Sequence, residues 1–234
     1  MLWSKQETLD IQRHASDIIN ISMELQYHQT MLSKRGLLLW QDNAYQSMKR
    51  YMLHLHNTMP YTPKDATSLL QRARELVDSE VTIRDARISK KYIEFDTSIP
   101  EDMDVKTIVT RLEAIAPLAS YDEVIERRME KDKGLKRAVE LFNDEKYWEA
   151  HEGLEYIWKN ANGIEKEILN GIILVAAAFV HDEKDEQDVC ISILQRARKK
   201  FDRASGNYYG IDINGISDMI SKIIITGKVD RFTI

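Results

Sequence analysis

Only one cysteine stands in the 234 residues. Cys190 alone can close no intramolecular disulfide and build no multi-cysteine zinc site, and it fits a reducing, cytoplasmic setting. Its plainest role is that of a buried thiol behaving as a small hydrophobe. Excess positive charge is also missing: 33 Lys and Arg face 38 Asp and Glu, a formal charge of -5. No global field therefore draws the chain to phosphate backbones or anionic membranes. The longest apolar run, Gly171 to Val180, is too short to span a bilayer. Lys5, Glu7 and Asp10 interrupt the stretch where a signal peptide needs its apolar core. Low-complexity tracts, repeats of fixed period, a Gly-rich phosphate loop and a serine-nucleophile motif are all lacking. What is present reads as a soluble globular chain, 43% hydrophobic, with an unidentified small molecule or protein as its partner.

Three segments follow from the periodicity. Residues 1-47 read as a helical arm and connector, with Ile11, Ala15, Ile18, Leu25 and Leu32 near one thin stripe that Gly36 ends. Such a stripe suits packing on a neighbouring element or a second subunit of a homo-oligomer. Residues 48-125 alternate differently. Tyr51, Leu53 and Leu55 mark a strand, and Pro63 sits where a helix carrying Leu69, Ala73 and Leu76 can begin. Val81 and Ile83, a polar turn and Tyr92 to Asp96 predict a hairpin. A helix through Val105, Ile108 and Leu112 then stops at Pro117, ahead of a strand near Ala119 to Val124. The order βαββαβ predicts a ferredoxin-like sandwich. Residues 126-234 read as an all-α domain, with helices near 126–143, 146–160, 164–181, 185–204 and 215–225. The fold class expected is thus α+β.

One helical stretch, EAHEGLEYIW from Glu149 to Trp158, carries a histidine and three carboxylates. Advancing roughly 100° per residue, His151 and Glu155 fall on the apolar arc of Tyr147, Ala150, Leu154 and Ile157, while Glu149 and Glu152 fall on the wetter side. At i and i+4 an imidazole and a carboxylate can share one proton or one ion. Trp148 and Trp158 flank them as walls of a pocket. A carboxylate facing a core needs a partner, because unpaired burial costs on the order of several kcal/mol. The plain answer is a hydrogen bond or ion pair with His151, and the sharper one is a divalent metal ion. A third ligand would have to come from elsewhere. His181, at the end of the apolar helix, is the candidate, with Glu152 in reserve as ligand or base.

At these residues the sequence resembles the domain of unknown function 309 family, whose signature H-x-x-x-E-x-x-[W/Y] stands here as His151, Glu155 and Trp158. The likeness runs through LFNDEKYWEAHE, LNGIILVAAAFVH and YYGIDI, roughly Lys136 to Ile225. It implies a small helical domain and a metal-binding role for the His and Glu of the motif.

Two functions remain open. One is a metalloprotein, of which a metal-dependent hydrolase is the sharper form, holding its ion on His151, Glu155 and His181. The other is a non-catalytic ligand- or protein-binding module in which the His-Glu pair is structural. Nucleic acid is disfavoured: Arg196, Arg198, Lys199, Lys200 and Arg203 share one helix, but Glu94 and Asp96 place acid on the strand that an RNA-binding sheet would need basic and aromatic.

Overall fold

Alternating side chains on the first strand, β1 (Met48–His56), send Leu53 and Leu55 to one face of a sheet and Met52 and His54 to the other. The computed structural model describes residues 47–125 and 129–234. The arm expected over residues 1-47 lies outside the described residues, save Ser47. After β1, Thr62 and Asp65 form a reciprocal capping box around Pro63. A short 3-10 turn, Pro63–Asp65, then leads into α1 (Ala66–Leu76). β2 (Thr82–Ile88) and β3 (Tyr92–Pro100) form the hairpin, α2 (Val105–Leu112) follows with Asp104 accepting from the Lys106 N–H at 3.0 Å, and β4 (Leu118–Glu123) closes the sheet.

The sheet order is β2-β3-β1-β4, with every neighbouring pair antiparallel. Its apolar face meets α1 and α2 in one core, where Leu53, Leu55, Ile93 and Phe95 contact Leu69, Ala73, Ile108 and Leu112. The other face is polar and also buried. His54, Glu94, Asp96, Ser98 and Arg87 on it are at most 5% exposed, because the helical half of the chain lies over them.

That half is built from α3 (Lys131–Asn143), α4 (Tyr147–Trp158), α5 (Gly163–Asp182), α6 (Gln187–Lys200) and α7 (Ile213–Thr226). α3 starts at Lys131 with Glu130 as its N-cap, later than the sequence predicts; residues 126–128 lie outside the described residues. A two-residue ribbon, β5 (Asn207–Tyr208) with β6 (Ile211–Asp212), occupies the turn before α7. α5 is the central rod, buried along Leu169, Ile172, Val175, Ala176 and Phe179 between α4 and α6. Glu145, in the left-handed region at φ 63°, reverses the chain between α3 and α4. The chain end is tied in: Asn143 Nδ2 donates to the Ile234 carbonyl at 2.9 Å, and the Ile234 N–H donates to Asn143 Oδ1 at 2.8 Å.

Several bonds join the two cores within one compact unit, Gln46–Ile234. The Ile88 N–H donates to the Glu183 carbonyl at 3.0 Å, Lys146 Nζ donates to Ser120 Oγ at 3.0 Å, and the Tyr92 hydroxyl donates to Asp144 at 3.1 Å. The structure is thus a mixed α and β chain with seven α-helices among the described residues, a four-stranded antiparallel sheet and a helical C-terminal region. No helix among the described residues is long and apolar enough to cross a membrane.

Candidate metal centre

Register sets the first three members of the site. Glu94 on β3 is the pairing partner of His54 on β1 and of Arg87 on β2, so the three side chains form one row across the polar face. Arg87 Nη1 donates to Glu94 Oε1, which leaves Oε2 for His54, whose Nε2 lies 2.8 Å away. A register shift between β1 and β4 falls at His54 and Leu55, an irregularity of the kind that re-aims side chains beside sites.

The fourth member descends from the helical half. α4 brings Glu149 over the row, and its Oε2 lies 3.2 Å from His54 Nε2. His54 is fully buried, and the Glu149 side chain is 13% exposed. The approach is an ion-pair distance without the alignment of a hydrogen bond, so Glu149 Oε2 is buried with no hydrogen-bond partner. His54 Nδ1 is unpartnered as well. Tyr92 packs edge-on against the imidazole at 5.5 Å.

Charge distinguishes Glu149 from its neighbours. Asp96 is gripped by Arg50 through two hydrogen bonds of 2.8 and 2.7 Å, with Arg84 at 3.4 Å. Burial works against its ionisation, but Arg50, Arg87 and Arg84 prevail and hold its carboxyl below the usual range. Glu94 has Arg87. Glu149 has no Lys or Arg within ion-pair distance among the described residues, and its one counter-group is His54. The indole of Trp148 stacks beneath this network, with the Arg50 guanidinium 4.7 Å and that of Arg87 5.7 Å from its centroid.

Ligand atoms of His54, Glu94 and Glu149 all lie within 4.8 Å of one another, and among the described residues this is the one such grouping of three or more His, Cys, Asp or Glu. One nitrogen and two carboxylate oxygens suit a divalent ion such as zinc or manganese.

The residues singled out in the sequence sit differently. His151 Nε2 is 3.7 Å from Glu155 Oε1, and both side chains are partly exposed, 24% and 37%. His181 Nδ1 pairs with Glu186 at 2.5 Å. The structure brings His151 and Glu155 together, and gives His181 another carboxylate as its partner. Glu152, 51% exposed, lies 3.5 Å from His151 Nδ1. Trp148 stands in the arginine network, whereas Trp158 packs on the helical core with Lys166 Nζ 4.5 Å over its ring.

Glu149 requires a correction. The helical wheel puts it in water because the wheel counts apolar neighbours; in the fold, that side of α4 faces the polar face of the sheet. The sequence does not point to His54 or Arg87, and it marks Glu94 only as an acid that disfavours RNA binding. The available signal was weak: a histidine between Leu53 and Leu55, and acids alternating along "KYIEFDT", which an open sheet would show equally well.

Comparison with curated proteins finds none that matches. The resemblance read from the sequence holds over residues 135–192, which carry Glu149 and match the model of the family described as Domain of unknown function (DUF309).

Proposed function

We propose that this protein binds a divalent metal ion on His54, Glu94 and Glu149, and that the ion serves chemistry on a small molecule, a metal-dependent hydrolysis being the form that best suits an N/O ligand set. The observation that carries this reading is the buried, unpartnered Oε2 of Glu149, aimed at an imidazole nitrogen that already serves Glu94. Two carboxylate oxygens converging on one buried nitrogen need a positive charge between them, and a cation supplies it. Arg87 fixes Glu94 through its other oxygen, as groups around a metal ligand commonly do. A divalent ion supplies Lewis acidity and acidifies water. The chain's own part is to orient the two carboxylates and to keep bulk water from His54.

The strand order and the antiparallel pairing support reading residues 48-125 as a ferredoxin-like sandwich, and the separate hydrophobic cores support a domain boundary near residue 126. On this reading the site straddles two domains.

Metal analysis of the purified full-length chain tests the proposal. Close to one equivalent of a divalent ion is expected after loading with zinc or manganese. It should be lost in His54→Ala and in Glu149→Gln, and kept in His151→Ala and His181→Ala. Retention in the first pair with loss in the second would move the ion to the His151 motif. Absence of metal from a folded wild-type chain would favour a second reading, a non-catalytic module in which His54 joins two carboxylates. The ion pairs of Arg87 with Glu94 and Arg50 with Asp96 are the observation on that side.

A further inference from the structure

A cleft of about 650 Å³ opens beside Glu149, between β1, β4, α3 and α4. That volume lies in the range of small-molecule sites. Its wall is apolar where Met52, Leu141, Trp148, Tyr156 and Ile157 line it. Small residues keep it open: Gly153 on α4 faces Ala138 on α3, and a Cβ at Gly153 would meet only the Ala138 Cβ, at 3.9 Å.

The lining is strongly acidic. Asp122, Glu123, Glu149, Glu152 and Glu155 contribute carboxylates. Among the described residues Arg137 and Lys159 are the cations in the lining, and Arg137 lies 3.9 Å from Glu140. Among the described residues none of the five acids forms an ion pair with Lys or Arg; the ion-pair partners they have are histidines, His54 for Glu149 and His151 for Glu152 and Glu155. Arg50 feels the charge of Glu152, yet its guanidinium is held by Asp96. A concave apolar wall whose carboxylates no described Lys or Arg pairs with concentrates positive counter-charge and disfavours anions.

We infer that this cleft binds a small organic cation, an alkylammonium or alkylguanidinium whose apolar body lies on the Trp148, Tyr156 and Ile157 wall and whose charged head meets the carboxylates. Apolar burial supplies affinity and the acids supply the sign of the charge accepted. The inference concerns the cleft and does not require the ion at His54.

Three probes of one shape separate the possibilities: hexylammonium, 1-hexanol and hexanoate, titrated by calorimetry into the full-length chain with and without zinc. Hexylammonium should bind at least tenfold more tightly than hexanol, with hexanoate weakest, and the preference should shrink in high salt. Exchange of two acids outside the proposed ion seat, Asp122→Asn with Glu152→Gln, should remove most of the tenfold preference and leave metal content unchanged. Gly153→Leu, which points a side chain into the cleft, should weaken hexylammonium and hexanol alike by tenfold or more. Equal affinities for the three probes, a preference for hexanoate, no binding of any, or undiminished binding in Gly153→Leu each overturns the inference. Because metal content is read in the same samples, a failed cleft and a failed ion seat give different results.

Discussion

His54 and Glu149 stand on elements that feed different hydrophobic cores, and yet Nε2 of one lies 3.2 Å from Oε2 of the other with no hydrogen bond between them. An unbalanced buried carboxylate lowers the stability of the metal-free chain and favours any cation that enters. Glu149→Gln keeps the shape and removes the charge. Without metal the variant should therefore be more stable than wild type, by about 1–3 kcal/mol. With excess zinc the order should invert, since only wild type gains binding energy. Thermal melts in chelator and in zinc check both halves; a variant that melts lower in chelator would show that Glu149 is well paired in the folded chain.

Arg231 closes the junction from the C-terminal tail. Its Nε donates to Asp182 Oδ2 at 2.7 Å and its Nη2 donates to the Ile88 carbonyl at 3.4 Å, so one side chain spans α5 and β2. Removing one member of a buried pair strands the other. Arg231→Met should cost about 3–5 kcal/mol in urea denaturation, while Asp182→Asn with Arg231→Met together should cost less than the sum of the two single changes. Additive losses would mean that the pair is not coupled.

How much of this was legible follows from which interactions are local. Leu53 and Leu55 alternate with His54 and His56, and the apolar run around Ile172 and Val175 is long and unbroken, so the strand and the central helix can be read directly. The site could not. His54 looks like an exposed residue of a one-sided sheet until α4 is laid over it, and that packing is set by contacts between segments far apart in the chain. Glu149 reads as wet for the same reason, since burial against polar partners leaves no hydrophobic trace. The ribbon of Asn207–Tyr208 with Ile211–Asp212 is shorter than any alternation can reveal.

Gly171 tests the packing of α5. A Cβ at this position would lie 2.5 Å from the ring of Phe201, itself only 3% exposed. Alanine gains up to about 1 kcal/mol of helix propensity over glycine, but overpacking a filled core costs typically about 1–3 kcal/mol. Gly171→Ala should be destabilising, and pairing it with Phe201→Leu should restore part of the loss. A stabilised single variant would mean that α6 can move away freely.

Glu183 gives the chain a pH dependence whose sign can be worked out. It follows Asp182 at the end of α5 and is 3% exposed, with Oε1 3.6 Å from Arg231 Nη1 but no hydrogen bond to that oxygen. Burial raises its carboxyl to about 8. Arg231 and Arg87 pull the other way, and Glu145 and Asp182 add to the rise. The folded chain therefore holds this proton above the pH at which the unfolded chain, near 4.5 for an ordinary Glu, has released it. Between those values the native state binds more protons, so this group makes stability fall as pH rises, and the loss is complete above about 8. Glu183→Gln, which cannot ionise, should flatten that slope. Measured by urea denaturation at pH 5, 7 and 9, the variant should match wild type most closely at pH 5 and exceed it at pH 9 by a few kcal/mol. A wild-type chain that gains on the variant as pH rises would show that Glu183 is ionised in the fold and held by Arg231.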